Sequence, residues 1–334
     1  MKTNRVSKVA AVDSAQQPTV SQALETFLRL GLVGKSPKTV QWYRKRLAGL
    51  SATLGPGAPA VGVMESDLLE WYAGQQGRKL RWGGKSSHPK TKGGLSPSYL
   101  HSLVRAAKVS FKWLEEQGIV PADPARKLAF PRLPRTGRKG IADGDVSRIL
   151  ALAKRGGEDS EMRERDYALL RFLESTGARL GGMAGLLLDD LALDEPEPRN
   201  RRAIVREKFD EERPVYMTPS ALEAMQGWLA VRTAIADEHV FLGKVNGGEW
   251  QALGESGIYQ VVKRFAILAG VKKNFSPHQW RHRFGRLLAQ QGMSLGVIAQ
   301  LMGHKNVSVT DRYYGQFADD ERQREYDRHM PDLG

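Results

Sequence analysis

Apolar residues recur at intervals of three and four along most of this chain, whereas alternating stretches are few and short. The pattern starts at Thr19-Val20-Ser21, with Ala23, Leu24, Phe27, Leu28 and Leu30 on one stripe, and Gly31 and Gly34 close it. Ser36-Pro37 opens a second helix, since serine accepts from first-turn amides and proline fits the first helical position. Val40, Tyr43, Leu47 and Leu50 mark its buried face. Ser96-Pro97 opens another, with Leu100, Leu103, Val104, Ala107, Phe111 and Leu114 inward and Gly118 at its stop. Together these segments predict an all-helical unit over 19–130.

Beyond residue 141 the helical period continues, but with an interruption. Asp143 is placed to cap a helix carrying Val146, Ile149, Leu150 and Leu152, and a second apolar helix follows over 165–175. The stretches 203–206 and 214–217 flank a polar turn and predict an antiparallel hairpin. Helices resume from Pro219, Gly257, Ser276 and Ser294, the last ending at Gly303 after Leu295, Ile298 and Leu301. The expected fold class is mainly α with a small antiparallel β-sheet. Its domains are a helical one over 19–130 and a mixed one over 141–318, with an arm over 1–18, a linker over 131–140 and a charged tail over 319–334.

Composition sharpens this picture in three ways. A length of 334 residues suits two domains, and 41% hydrophobic with 26% charged residues describes a globular chain. Lys and Arg number 51 against 37 Asp and Glu, a net +14, which favours a polyanionic partner through counterion release. A generally basic surface, or attraction to an acidic membrane, would read the same way, although no apolar run is long enough to span a bilayer. The absence of cysteine excludes disulfides, thiolate metal sites and cysteine nucleophiles. The polar stretch 1–18 lacks a signal-peptide core, so a cytoplasmic location is expected.

The positive charge is clustered. Between 78 and 92 the chain reads RKLRWGGKSSHPKTK, with Arg78, Lys79, Arg81, Lys85, Lys90 and Lys92 and no acid. Between 126 and 140 it reads RKLAFPRLPRTGRKG, where Arg132, Arg135, Arg138 and Lys139 accompany two prolines and two glycines. The first is a loop and the second an interdomain linker; each either follows a DNA backbone or is simply solvated.

Candidate chemistry gathers in the second half. Ser175-Thr176-Gly177-Ala178-Arg179 joins two helices through a tight turn that directs Arg179 towards a cleft, either onto a phosphate or into a local ion pair. Lys208 sits near the tip of the predicted hairpin, a position equally suited to solubility. Ser276-Pro277-His278-Gln279-Trp280-Arg281 starts a helix, so His278 and Arg281 flank a positive helix terminus. His278 and His282 are four apart, but no carboxylate or thiol nearby completes a metal set. His304 follows the helix ending at Gly303, and Tyr313-Tyr314 comes nine residues later. A phenol with a pKa near 10 needs cations or a base before it can attack anything.

In order and spacing, this set resembles the tyrosine recombinases, the phage-integrase-type enzymes. TGAR with Arg179, KFDEER with Lys208, HQWR with His278 and Arg281, MGH with His304, and VSVTDRYY with Tyr313 match the family's motifs. The resemblance covers 141–317 well and extends more loosely over the helical N-terminal half, including ADPARKLAFPRLP. One departure stands out: the family's acid three residues after the first arginine is Gly182 here. The segment LLLDDLAL, with Asp189 and Asp190, keeps the family's entry into its sheet.

The resemblance implies two domains clamped around duplex DNA. It implies that Tyr313 attacks a scissile phosphate to form a 3′-phosphotyrosyl bond without metal, cofactor or ATP. Arg179, Arg281 and His304 would hold the non-bridging oxygens, Lys208 would protonate the leaving 5′-oxygen, and His278 would serve Tyr313 as acid and base. Four protomers on two sites are implied, from a free monomer or weak oligomer, on the nucleoid and with an accessory directionality protein. The tail would contact a neighbouring protomer. Two other outcomes fit the same residues: a type IB topoisomerase-like relaxing enzyme, and a DNA-binding protein that keeps the fold without catalysis.

Overall fold

Thr19 begins the first helix by a reciprocal cap: its hydroxyl accepts from the Gln22 amide, and its own amide donates to the Gln22 side chain at 2.9 Å. The computed structural model describes residues 17–78, 93–133, 140–156, 159–194, 201–207, 211–232, 236–245, 248–273 and 275–304. The chain divides into two compact units, Met1–Arg135 and Thr136–Gly334. The described part of the first is helical: α1 (Val20–Thr26), α2 (Pro37–Leu54), α3 (Glu65–Gln76) and α4 (Pro97–Glu116). Ser36 and Ser96 cap α2 and α4 by accepting from the Thr39 and Tyr99 amides, as their Ser-Pro openings lead one to expect.

α1 runs into a π-helical turn, Phe27–Gly31. Its extra residue per turn shifts the phase, and Leu30, expected on the apolar stripe, is 51% exposed. Gly31 lets Trp113 close in, since a Cβ there would lie 2.6 Å from Phe27 and 3.1 Å from Trp113. Phe27 meets the Tyr43 ring edge-on at 5.5 Å, with Leu50, Leu68, Val104, Phe111 and Leu114 filling the core around it. Helix α3 escaped the sequence pattern because it buries only Leu68 and Trp71 across its length.

The second unit begins with α5 (Asp143–Arg155), α6 (Ser160–Thr176) and α7 (Leu180–Ala184). Asp143 does not cap α5: Ala142 holds that position, and Asp143 is the first helical residue, where its carboxylate accepts from Arg283 Nε at 2.6 Å. The acid still suits the positive helix terminus. α6 starts five residues before the apolar pattern, because Asp159 caps it and its first turn is charged.

A three-stranded antiparallel sheet follows, in the order β1 (Leu191–Ala192), β2 (Arg202–Arg206), β3 (Glu212–Tyr216). The predicted hairpin is β2–β3, in which Ala203 pairs with Val215 and Val205 with Arg213. α8 (Pro219–Val231) leads to a second hairpin, β4 (Leu242–Lys244) with β5 (Trp250–Ala252), whose three-residue strands are too short to show alternation. α9 (Glu255–Leu268), α10 (Pro277–Gln290) and α11 (Leu295–Leu301) complete the described chain. The fold is mainly α with small antiparallel sheets.

Phe172, Phe241, Trp228 and Trp280 anchor this unit's core. Trp228 donates from Nε1 to the Val240 carbonyl at 2.7 Å. A buried charge pair lies within it: Arg165 and Asp166 are 2% exposed and meet at 2.6 Å, with Arg264 on the other carboxylate oxygen. Burial raises the Asp166 pKa and lowers that of Arg165. Among the described residues no helix is long and apolar enough to cross a membrane.

Candidate active site

The turn after α6 depends on glycine. Gly177 sits at φ +56°, and a Cβ there would lie 2.6 Å from the Phe284 ring. Thr176 secures the turn by donating to the Phe172 carbonyl at 2.6 Å and accepting from the Ala178 amide at 3.2 Å. Arg179 thereby becomes the cap residue of α7, with its guanidinium turned towards the end of α11.

α10 places its groups on different sides. Ser276 is the N-cap residue and Pro277 takes the first helical position, but the serine hydroxyl makes no cap bond. Trp280 is buried and donates to the Phe275 carbonyl at 3.1 Å. Arg281 beside it is 3% exposed. His278 is exposed, its ring edge-to-face with His282 at 4.3 Å. No cluster of three or more potential metal ligands occurs among the described residues.

Three arginines then meet three consecutive carbonyls. Arg213 donates to Leu301, Arg281 to Met302, and Arg179 to Gly303 at 3.1 Å. These oxygens lie at the C-terminal end of α11, where helical carbonyls lack intrahelical donors and the macrodipole is negative. Arg281 also donates to the Gly177 carbonyl at 2.8 Å, tying the two arginine motifs together. Glu207, its side chain 6% exposed, faces all three: it pairs with Arg179, with Arg213 at 3.0 Å, and with Arg281 at 3.9 Å. Gly303 is needed at this junction, because at φ +59° a Cβ would meet Glu207 Oε2 at 2.8 Å and Arg213 Nε at 3.0 Å.

This setting perturbs the titratable groups. Burial lowers the Arg213 pKa to about 10, and burial together with Arg213 lowers that of Arg179. Both stay charged at pH 7. His304 follows directly, its amide donating to the Ala299 carbonyl at 2.8 Å. Burial first, then Arg281, Arg179, Arg213 and His278, push its pKa down to about 4, so its imidazole is neutral at pH 7.

Of the residues singled out from sequence, Arg179, Arg281 and His304 come together here, and His278 lies close enough to act on His304 electrostatically. Arg78 is exposed and donates to Gln75 at 3.3 Å, and Arg132 is exposed; both belong to the first unit. Lys79, Arg81, Lys85, Lys90, Lys92, Arg135, Arg138, Lys139, Lys208, Tyr313 and Tyr314 lie outside the described residues, as do nearly all of the arm and the whole tail. Arg213 and Glu207 were missed. Their signal was present: Arg213 shares the inward face of β3 with Val215, and a cation on a core-facing strand position needs a partner. Cations fixed in this way match what a developing negative charge on an oxyanion requires.

Comparison with known proteins agrees with the geometry. A family model described as the phage integrase family matches residues 141–320. The chain is similar to tyrosine recombinase XerC of Xanthomonas axonopodis pv. citri (strain 306), with 27% identity over 83% of this chain and 86% of that protein. It is also similar to XerC of Corynebacterium efficiens, with 28% identity over 90% of this chain and 89% of that protein. Among solved structures, the Tn1549 transposon integrase in complex with transposon right end DNA aligns over 94% of this chain and 100% of that one, with a TM-score of 0.67 and 20% identity. XerH site-specific recombinase bound to palindromic difH substrate aligns over 93% and 84%, with a TM-score of 0.66 and 17% identity. At these identities the structural matches establish the fold.

Proposed function

The chain belongs to the phage integrase family, and on that premise we propose which of its residues carry out the strand transfer and how. It is a tyrosine-type DNA strand transferase, a site-specific recombinase whose partner is double-stranded DNA. Tyr313 is the nucleophile and forms a 3′-phosphotyrosyl bond as the 5′-hydroxyl leaves. Arg179, Arg281 and neutral His304 donate to the non-bridging phosphate oxygens. Lys208 protonates the leaving oxygen, and His278 exchanges the proton of Tyr313. The phosphoester bond energy is kept in the covalent link, so rejoining needs no ATP.

One observation carries this reading: guanidiniums from the α6–α7 turn, β3 and α10 converge on carbonyls 301–303, directly before His304. Donors fixed before the reaction need no reorganisation while charge develops on phosphorus. The first unit, with its basic stretch 78–92, and the basic stretch 131–140 that follows hold the DNA backbone. Four protomers act on two sites, the segment 319–334 contacts a neighbouring protomer, and an accessory protein sets direction. Work on chromosomal or mobile DNA places the protein in the cytoplasm on the nucleoid.

The test uses nicked suicide duplexes drawn from DNA flanking the gene, which trap a covalent protein–DNA adduct. Wild-type protein yields the adduct and Tyr313→Phe yields none. An adduct at full yield from Tyr313→Phe moves the nucleophile to Tyr314. Tight binding without adduct on any flanking DNA overturns the catalytic reading.

A further inference from the structure

Among the described residues, Glu207 is the one carboxylate that pairs with Arg179, Arg213 and Arg281 together. It follows β2, and its amide donates to the Glu211 carbonyl at 3.0 Å, which holds the hairpin closed behind it. From there the side chain turns inward to Arg179, Arg213 and Arg281. Gly182 packs against the end of the strand that leads to Glu207. A Cβ at 182 would lie 3.2 Å from Val205 Cβ, 3.4 Å from the Arg206 carbonyl and 3.8 Å from Glu207 Cγ. The tight contacts are with β2 itself, Val205 and the Arg206 carbonyl, while the distance to Glu207 is that of ordinary packing. The position where resemblance to the family leads one to expect an acid is a glycine, and a carboxylate reaches Arg179 from the end of β2 instead.

We infer that Glu207 is a positioning residue of the strand-transfer site, taking the place of an acid at position 182 by holding Arg179, Arg213 and Arg281 in register with carbonyls 301–303. A carboxylate repels a phosphate, so Glu207 does not contact substrate; it acts through the arginines. Arg213 shares this supporting role, because its guanidinium is buried between Glu207 and the Leu301 carbonyl. The charge balance explains the choice of residue. Three guanidiniums gathered at one helix end repel each other, and a single anion among them offsets that repulsion before DNA arrives.

The inference rests on the proposed roles of Arg179 and Arg281, so its test has one arm that needs no activity. In the free protein, nitrogen-15 spectra of the arginine side chains read how firmly each guanidinium is held. Glu207→Gln is expected to speed proton exchange at Arg179, Arg213 and Arg281 while circular dichroism stays native. Unchanged arginine spectra overturn the inference, whatever the DNA assays give. The second arm measures adduct formation on the flanking-DNA suicide duplexes at saturating protein. Glu207→Gln is expected to slow the step on the order of 10²-fold, the size of loss that small misplacement of reacting groups produces, with DNA affinity kept. A wild-type rate in Glu207→Gln overturns the positioning role. Failure of wild-type protein to form any adduct refutes the proposed catalysis and leaves the free-protein arm to decide on Glu207.

Discussion

Arg281→Lys separates geometry from charge at this site. Arg281 is 3% exposed and spans two carbonyls, Gly177 at 2.8 Å and Met302, while lying 3.9 Å from Glu207. Complete truncation to alanine strands both acceptors in a buried place, at about 1–3 kcal/mol each. The sum, roughly 2–6 kcal/mol, is a large share of a typical domain stability of about 5–15 kcal/mol. Alanine therefore confuses lost catalysis with lost folding. Lysine keeps the charge, but a single ammonium cannot reproduce the planar fork that reaches both carbonyls. The lysine variant is expected to stay folded, to bind DNA within a few-fold of wild type, and to form adduct about 10²–10³-fold more slowly. That loss corresponds to about 2.7–4 kcal/mol for one misplaced oxyanion donor. Rapid-quench adduct formation, a thermal melt and a gel-shift titration read the three quantities separately. An adduct rate within tenfold of wild type in a well-folded lysine variant would show that positive charge alone suffices, and the argument from fixed donor geometry would fail.

Two further outcomes follow from buried charge. Asp166→Ala leaves Arg165, 2% exposed, without its 2.6 Å partner, and should cost about 3–5 kcal/mol. At about 2–4 °C per kcal/mol for a unit of this size, the melting temperature should fall by roughly 6–20 °C, and an unchanged calorimetric melt would contradict it. For His304 the folded pKa of about 4 lies below the unfolded value near 6.5. The unfolded chain then takes up this proton first, so the stability present above pH 6.5 declines as pH falls towards 4. An imidazole NMR titration of the DNA-free protein checks the midpoint, and titration near 6.5 would show that the ring is not enclosed by cations as described.

What the chain reveals by itself depends on how each feature is encoded. Helices with a Ser-Pro start and a one-sided apolar stripe, such as α2 and α4, had starts legible to the residue, because the cap and the period are both local. α3 was not, since two buried side chains in twelve residues carry no period. Nor was the β4–β5 hairpin, whose three-residue strands take their order from packing with Phe241 and Leu242 in the core. At the site, Arg179, Arg281 and His304 could be named from spacing because each belongs to a short motif. Arg213 and Glu207 belong to none. They are defined by contacts to residues 88 positions away, for Arg213, and across three elements, for Glu207.

Those unmotifed residues also account for how a cation cluster survives without its substrate. An attraction at 3.9 Å amounts to about 4 kcal/mol at an effective dielectric near 20, and Glu207 makes its other two contacts at closer range. Much of this is consumed in removing the charged groups from water. The remaining compensation comes from carbonyls 301–303, oriented dipoles that accept from guanidiniums without cancelling their net charge. Glu207 supplies one negative charge against three positive ones, so these four side chains keep a net positive charge. On the proposed reading of the site, glutamate at 207 brings enough negative charge to assemble the arginines and leaves positive charge to stabilise a phosphorane.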